Sequence, residues 1–288
     1  MTLIPASTHV GRVALQVSDL DRSLAFYQGI IGFHPLEHIE EAGRRVARLG
    51  ISDSNAWLLE LREKRGVRPV PPRGLIGLYH FAVLLPERAD LGRFIVHAVN
   101  AGAELASADH LVSEALYLTD PDGLQVEVYR DLPRSEWQYA NGQVRMATLP
   151  LDFDPIVASA DGTQWSGVPQ GTVIGHVHLY VADLDAARAF YVDALGFAPT
   201  FSRIHGALFV AAGGYHHHVG LNIWAAGSPI ATDDDARMLF WEMVLPDASA
   251  MQATVDRLIE AGYGVDAMGE YPIATDPWGI SVRLVARA

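Results

Sequence analysis

Short stretches of alternating apolar and polar residues recur along the chain, each followed by a helical period and then by further short β-rich runs. Residues 13–17 alternate as a brief strand, and Asp19 stands where an N-cap belongs, ahead of a helix whose Leu20, Leu24 and Tyr27 share one face. Gly32 is placed to end that helix, and residues 45–49 and 56–61 then read as strands separated by polar or glycine-containing turns. The unit is βαβββ.

This unit repeats. Val17-Ser18-Asp19-Leu20-Asp21, Ala25-Phe26-Tyr27 and Gly32-Phe33 return 164 positions later as Val181-Ala182-Asp183-Leu184-Asp185, Ala189-Phe190-Tyr191 and Gly196-Phe197. A second pair matches more loosely. Leu85-Pro86, Ala101-Gly102 and Asp120-Pro121-x-Gly123 recur as Leu245-Pro246, Ala261-Gly262 and Asp276-Pro277-x-Gly279, the offset drifting from 160 to 156 as a loop deletion would produce. The chain therefore reads as an α+β protein of four modules, 9–62, 79–130, 174–225 and 238–286. They fall in two halves, 1–130 and 173–288, joined by a Pro-, Asp-, Gly- and Ser-rich linker over 131–172. Trp137 and Trp165 are anchors in that linker, which is either a plain spacer or a strap that wraps a domain and sets how the modules pair.

Half of the 288 residues are hydrophobic, enough for a large core. A formal charge of −13 with no cluster of Lys and Arg argues against a nucleic-acid partner. Apolar runs such as 81–85 are too short to span a bilayer, and the N-terminus lacks a basic region followed by an apolar core, so no membrane partner and a cytoplasmic location are expected. A homo-oligomer is compatible with all of this. Cysteine is absent, which leaves imidazole, carboxylate and water as metal ligands.

Comparing equivalent positions among the modules isolates the candidate chemistry. His176, on the first strand of the third module, has Arg12 as its counterpart; His80, on the first strand of the second, has Phe240; Glu127, on the last strand of the second, has Arg283. Two imidazoles and one carboxylate on a rigid frame form the set that suits non-haem Fe(II) with open positions, and Mn(II) can use the same set. Each histidine also has a simpler reading as a hydrogen-bonded core residue. Glu127, between Val126 and Val128 in a half-buried strand, needs a metal, a cation or the outer face to justify its charge.

The strings Gly175-His176-Val177-His178-Leu179, Gly77-Leu78-Tyr79-His80-Phe81, Ser113-Glu114-Ala115-Leu116-Tyr117 through Asp120-Pro121-Asp122-Gly123, and Gly213-Gly214-Tyr215-His216-His217-His218 are long and specific. Over nearly its whole length the chain resembles the vicinal oxygen chelate superfamily, in particular its two-domain catechol 2,3-dioxygenase-like, extradiol members. The resemblance implies a ferrous ion held by His80, Glu127 and His176, a small aromatic diol as substrate, and O2 inserted beside the diol to open the ring. It also implies a catalytic role for Tyr117, ten positions before Glu127, and an acid/base at His217 or His218, with His110 and Glu114 as supporting groups.

The fourth module lacks both ligands that the usual extradiol layout would place there. Similarity to four-module glyoxalases suggests that the inner modules, second and third, pair around the metal. The outer modules would then pair around a vacated site faced by Arg12 and Arg283, which bind an anion or neutralise Glu60 or Glu242. Two other functions remain in view. One is a glyoxalase-like metal-dependent isomerase or lyase, which usually needs a second carboxylate where the third module offers Asn222; the other is a metal-free protein that sequesters an aromatic ligand.

Overall fold

A computed structural model describes residues 3–52, 54, 56–201 and 204–287. Two eight-stranded sheets carry the architecture. One runs in the order Val265–Asp266, Ile273–Thr275, Ser281–Ala286, Arg237–Leu245, His9–Val17, Trp57–Glu63, Arg44–Gly50, His34–Glu41, and so unites the first and fourth modules. The other runs Ala198–Phe201, Ala207–Ala211, Val219–Asn222, Val173–Tyr180, Gly77–Leu84, Gln125–Asp131, Ser113–Thr119, Ala106–Asp109, and unites the second and third. The expected inner and outer pairing is the one found. Each sheet is sewn by its two first strands, which lie antiparallel, with Val177 opposite Phe81 in the inner sheet and Val13 opposite Trp241 in the outer. The sequence offsets of 164 and 160 are thus preserved as strand register.

The short helix Leu20–Phe26 begins where its cap was expected, the Asp19 side chain accepting from the Arg22 N–H. It then widens into a π-helical turn, Tyr27–Ile31, closed by Gly32 at φ 93°. The third module repeats this: Asp183 accepts from the Ala186 N–H, and Ala189–Ala194 is π-helical. In both, a buried tyrosine reaches out of its own sheet. Tyr27 donates to Asp120 Oδ2 at 3.0 Å and Tyr191 donates to Asp276 Oδ2 at 3.0 Å. The Tyr and the Asp-Pro-x-Gly turn are both part of the internal repeat, and together they latch a module of one sheet to a module of the other.

The linker wraps. Trp137 is buried against Tyr215 and His216, with its indole N–H on the Leu132 carbonyl. Trp165 packs against Phe94 and His97 of the helix Arg88–Asn100. Between them, Leu149 bridges to Asp109 at the edge of the inner sheet, so the strap runs along the mouth of the inner cup.

Burial pushes the Asp120 carboxyl up to about 7 against the pull of the Leu124, Asp122 and Tyr27 donors, and that of Asp276 up to about 6. Above pH 7 Asp120 is ionised, and the Tyr27 hydroxyl stabilises the ionised form more than the neutral acid. Tyr27→Phe is therefore expected to lower stability by about 1–3 kcal/mol, with a larger loss at pH 8 than at pH 5.5. Urea unfolding at the two pH values checks this; a loss independent of pH contradicts it.

Candidate metal centre

Three adjacent strands of the inner sheet supply the site. His178 lies opposite His80 and His176 opposite Ala82 across the antiparallel seam, while Ala82 lies beside Glu127 in the parallel pair. Side chains at paired positions share a face, so His80, Glu127, His176 and His178 all project into one cup. The floor between them is Ala82, whose methyl group leaves the space open.

His80, Glu127 and His176 are buried and offer ligand atoms that all lie within 4.8 Å of one another. Both imidazoles turn Nε2 toward the same oxygen, Glu127 Oε2, each at 3.0 Å. His176 makes a hydrogen bond there, but the His80 contact is not in hydrogen-bonding geometry, and both of its ring nitrogens are buried without a partner. An orphaned buried donor or acceptor is costly. A cation where these atoms converge removes that cost, satisfies the carboxylate and suits the N2O donor set, so the residues fit a divalent metal. Burial alone would raise the Glu127 carboxyl; the His176 and His80 rings overcome it and hold the group well below the usual carboxylate range. Burial also lowers His80, so its bare ring nitrogen is the form available to a metal.

A cavity of about 420 Å³ opens onto His80 and Glu127. Its lining includes Tyr117, His110 and His217 from the sequence reading, together with Tyr79, His178, Phe209 and Trp224. Tyr117 stands directly opposite Glu127 in the hairpin closed by the Asp120–Gly123 turn, which gives the ten-residue spacing a simple cause: it is antiparallel register. The Ala147 carbonyl of the linker accepts from His110 Nδ1 at 2.7 Å, so His110 Nε2 is bare and accepts from the Tyr117 hydroxyl at 2.7 Å. Burial raises the Tyr117 phenol well above its ordinary value, so it remains an O–H.

The two adjacent histidines part company. His217 stacks on His176 with ring centroids 4.1 Å apart and faces the cavity. His218 turns away to Phe197 and Tyr215, and its Nδ1 accepts from the Ala212 N–H at 3.1 Å. Asp131 accepts from His216 Nε2 at 2.9 Å, and His216 and His217 meet Nδ1 to Nδ1 at 2.7 Å. His216 donates its Nε2–H to Asp131, so its Nδ1 is the atom that meets His217; an Nδ1–H donated to it by His217 leaves the His217 Nε2 lone pair free. Burial first, then the neighbouring imidazoles, lowers His217 well below its ordinary value and keeps it neutral. Glu114 lies outside the cavity lining and pairs with Arg88.

His178 also lines the cavity, beyond the residues expected there. Its signal was in the sequence: it follows His176 by two positions, and alternate strand residues share a face. Two glycines make room here. A Cβ on Gly220 would sit 2.7 Å from the His178 ring, and one on Gly175 would sit 1.9 Å from the Tyr129 hydroxyl, behind His176.

The outer cup has the same frame and other contents. Glu242 replaces the floor alanine and takes the Arg12 backbone N–H at 3.1 Å. Glu60 is held by Arg48 and Arg62 at 2.9 and 2.6 Å, and the Arg283 guanidinium lies over the Phe240 ring at 3.4 Å. Arg12 Nε lies 3.7 Å from Glu242 Oε2, and burial nevertheless raises the Glu242 carboxyl above its ordinary value; Glu60 takes its partners from its own module.

Paired βαβββ modules cupping a buried His–Glu–His set are the architecture of the vicinal oxygen chelate proteins. Residues 9–128 match the Glyoxalase/Bleomycin resistance protein/Dioxygenase superfamily, and residues 174–203 match the bleomycin resistance protein-like N-terminal family. The chain belongs to this superfamily. It is 40% identical over 270 residues to the catechol-2,3-dioxygenase of Bacillus subtilis (strain 168), covering 92% of this chain and 93% of that one. In fold it is similar to a solved structure from Bacillus subtilis subsp. subtilis str. 168 (TM-score 0.68, 12% identity, 99% of this chain and 86% of that one). It is also similar to glyoxalase I from Zea mays (TM-score 0.58, 18% identity, 97% and 92%).

His80→Ala, Glu127→Ala and His176→Ala are each expected to lose bound metal after reconstitution, whereas Arg12→Ala and Phe240→Ala keep it. Elemental analysis of desalted protein checks this, and stoichiometric metal in His80→Ala contradicts the ligand set.

Proposed function

We propose that the protein is a cytoplasmic, Fe(II)-dependent extradiol dioxygenase that opens a catechol-type ring with O2. The observation that carries this is the convergence of His80, Glu127 and His176 on one point at the wall of a cavity large enough for an aromatic ring. The 40% identity to a catechol-2,3-dioxygenase along nearly the full length supports it. When bound, ferrous iron supplies a Lewis acid and template on which a vicinal diol and O2 can be brought together, and Mn(II) fits the same ligands.

The chain's own residues do the rest. His217 Nε2, neutral and with a free lone pair, is the base for a substrate hydroxyl proton, and Asp131 through His216 keeps the ring in the productive tautomer. Tyr117 gives its O–H to His110 and so presents a hydroxyl lone pair beside Glu127, and the linker carbonyl of Ala147 sets His110 in turn. His218 carries no step in this scheme, because its Nδ1 is committed to the backbone. A glyoxalase-like reading needs a second carboxylate at the metal, and Asn222, its candidate position, is bonded to His178 instead.

Iron-loaded protein mixed with catechol is expected to consume O2 and give a yellow ring-opened product. His217→Ala should lower kcat by roughly 10²- to 10⁴-fold, and Tyr117→Phe should lower it by a smaller factor. Both variants should retain iron. Wild-type rates in His217→Ala, followed with an oxygen electrode, remove it from the mechanism.

A further inference from the structure

His178 lines the cavity but has no task in the reaction as proposed, and its hydrogen bonding defines what it offers. The Trp224 backbone N–H donates to Asn222 Oδ1 at 2.9 Å. That contact fixes the amide, so its NH2 end faces His178 Nε2 at 2.9 Å. An amide NH2 only donates; Nε2 therefore accepts, and the ring proton sits on Nδ1. Among the described residues Nδ1 meets no hydrogen-bond partner, although the residue faces the cavity. The ring is held in place against the bare backbone of Gly220, and Tyr79, Phe209 and Trp224 surround it at centroid distances of 5.1, 5.4 and 5.8 Å. The ring also adjoins His80, with centroids 5.0 Å apart, so the residue stands next to the metal set.

We propose that His178 is a specificity-determining residue for a substituted aromatic diol: its Nδ1–H receives an acceptor oxygen carried by the ring substituent, and Tyr79, Phe209 and Trp224 enclose the rest of that substituent. This rests on the dioxygenase reading and narrows its substrate class. The cavity, about 420 Å³, is several times what one six-membered ring fills, so room for a substituent exists. An aromatic wall with one directed donor favours an ether, carbonyl or hydroxyl oxygen on a small apolar group. A preset donor left without an acceptor loses its water and gains nothing in return, which is how such a group discriminates.

The test compares near-isosteric substituents, 3- and 4-methoxycatechol against 3- and 4-ethylcatechol. Dissociation constants are measured without oxygen on iron-loaded wild-type protein and on His178→Phe, His178→Leu and His178→Gln. For at least one positional pair, the ratio Kd(ethyl)/Kd(methoxy) is expected to fall by about 10-fold in the two apolar variants, and by less in His178→Gln, which keeps an N–H donor. Ethylcatechol affinity and iron content should stay near wild type. An unchanged ratio in whichever apolar variant retains wild-type circular dichroism and iron overturns the proposal, as does equal weakening of both members of each pair. Oxygen consumption with unsubstituted catechol is read separately. If the wild-type protein consumes O2 and the ratio does not move, only the role of His178 fails; if it consumes none with any of the five diols, the dioxygenase reading itself fails.

Discussion

The antiparallel pairing of Val173–Tyr180 with Gly77–Leu84 is the constraint from which the site follows. Residues nearly a hundred positions apart in sequence become neighbours there, and the register sets His178 opposite His80 and His176 opposite Ala82. A slip of one residue would turn every one of these side chains to the opposite face of the sheet. The register is held by apolar burial on the far face, where Val177 and Phe81 oppose each other in the core, and by the parallel strand Gln125–Asp131, which brings Glu127 alongside. Three strands thus position two imidazoles and a carboxylate without any ligand on a loop. Rigid elements place side chains more accurately than loops do.

The outer sheet isolates what that frame does not decide. Its seam has the same register, with Ala14 opposite Phe240 where the inner seam has His178 opposite His80. The contents differ at the floor. Ala82 leaves space above it, whereas Glu242 at the equivalent position fills that space with a carboxyl group whose Oε2 takes the Arg12 backbone N–H and whose Oε1 is buried without a partner. One cup is therefore a cavity around convergent ligand atoms and the other a set of ion pairs. Buried charge needs compensation in both: by Arg12, Arg48 and Arg62 in the outer cup, and in the inner by imidazoles whose remaining nitrogens lack partners.

The linker and the latches connect these cups to each other and to the chemistry. Because each sequence half gives one module to each sheet, a bond between the two modules of a half is also a bond between sheets, and Tyr27–Asp120 and Tyr191–Asp276 are two such bonds. The linker joins the two inner modules and, in crossing the mouth of their cup, provides Met146, Ala147 and Thr148 as cavity wall. Its carbonyl at Ala147 sets the tautomer of His110 and, through it, the direction of the Tyr117 hydroxyl.

The sequence alone carried the βαβββ repeat, the cap at Asp19, and His80, Glu127 and His176 as the candidate ligand set. Local periodicity and an internal repeat express short-range physics, and the repeat set each candidate ligand against Arg12, Phe240 and Arg283 at its own equivalent positions. Tyr117 was expected through the family resemblance, and its ten-residue distance from Glu127 is hairpin register, a local property. What only the tertiary structure decided lies across strands and along the linker. Which of His217 and His218 faces the cavity depends on which face of a short loop meets His176, and nothing in three consecutive histidines encodes that. The tautomer of His178 depends on Asn222, forty-four residues away, and on the Trp224 amide that orients it. Direction in a hydrogen bond is a property of the assembled network, and composition and spacing carry no information about it.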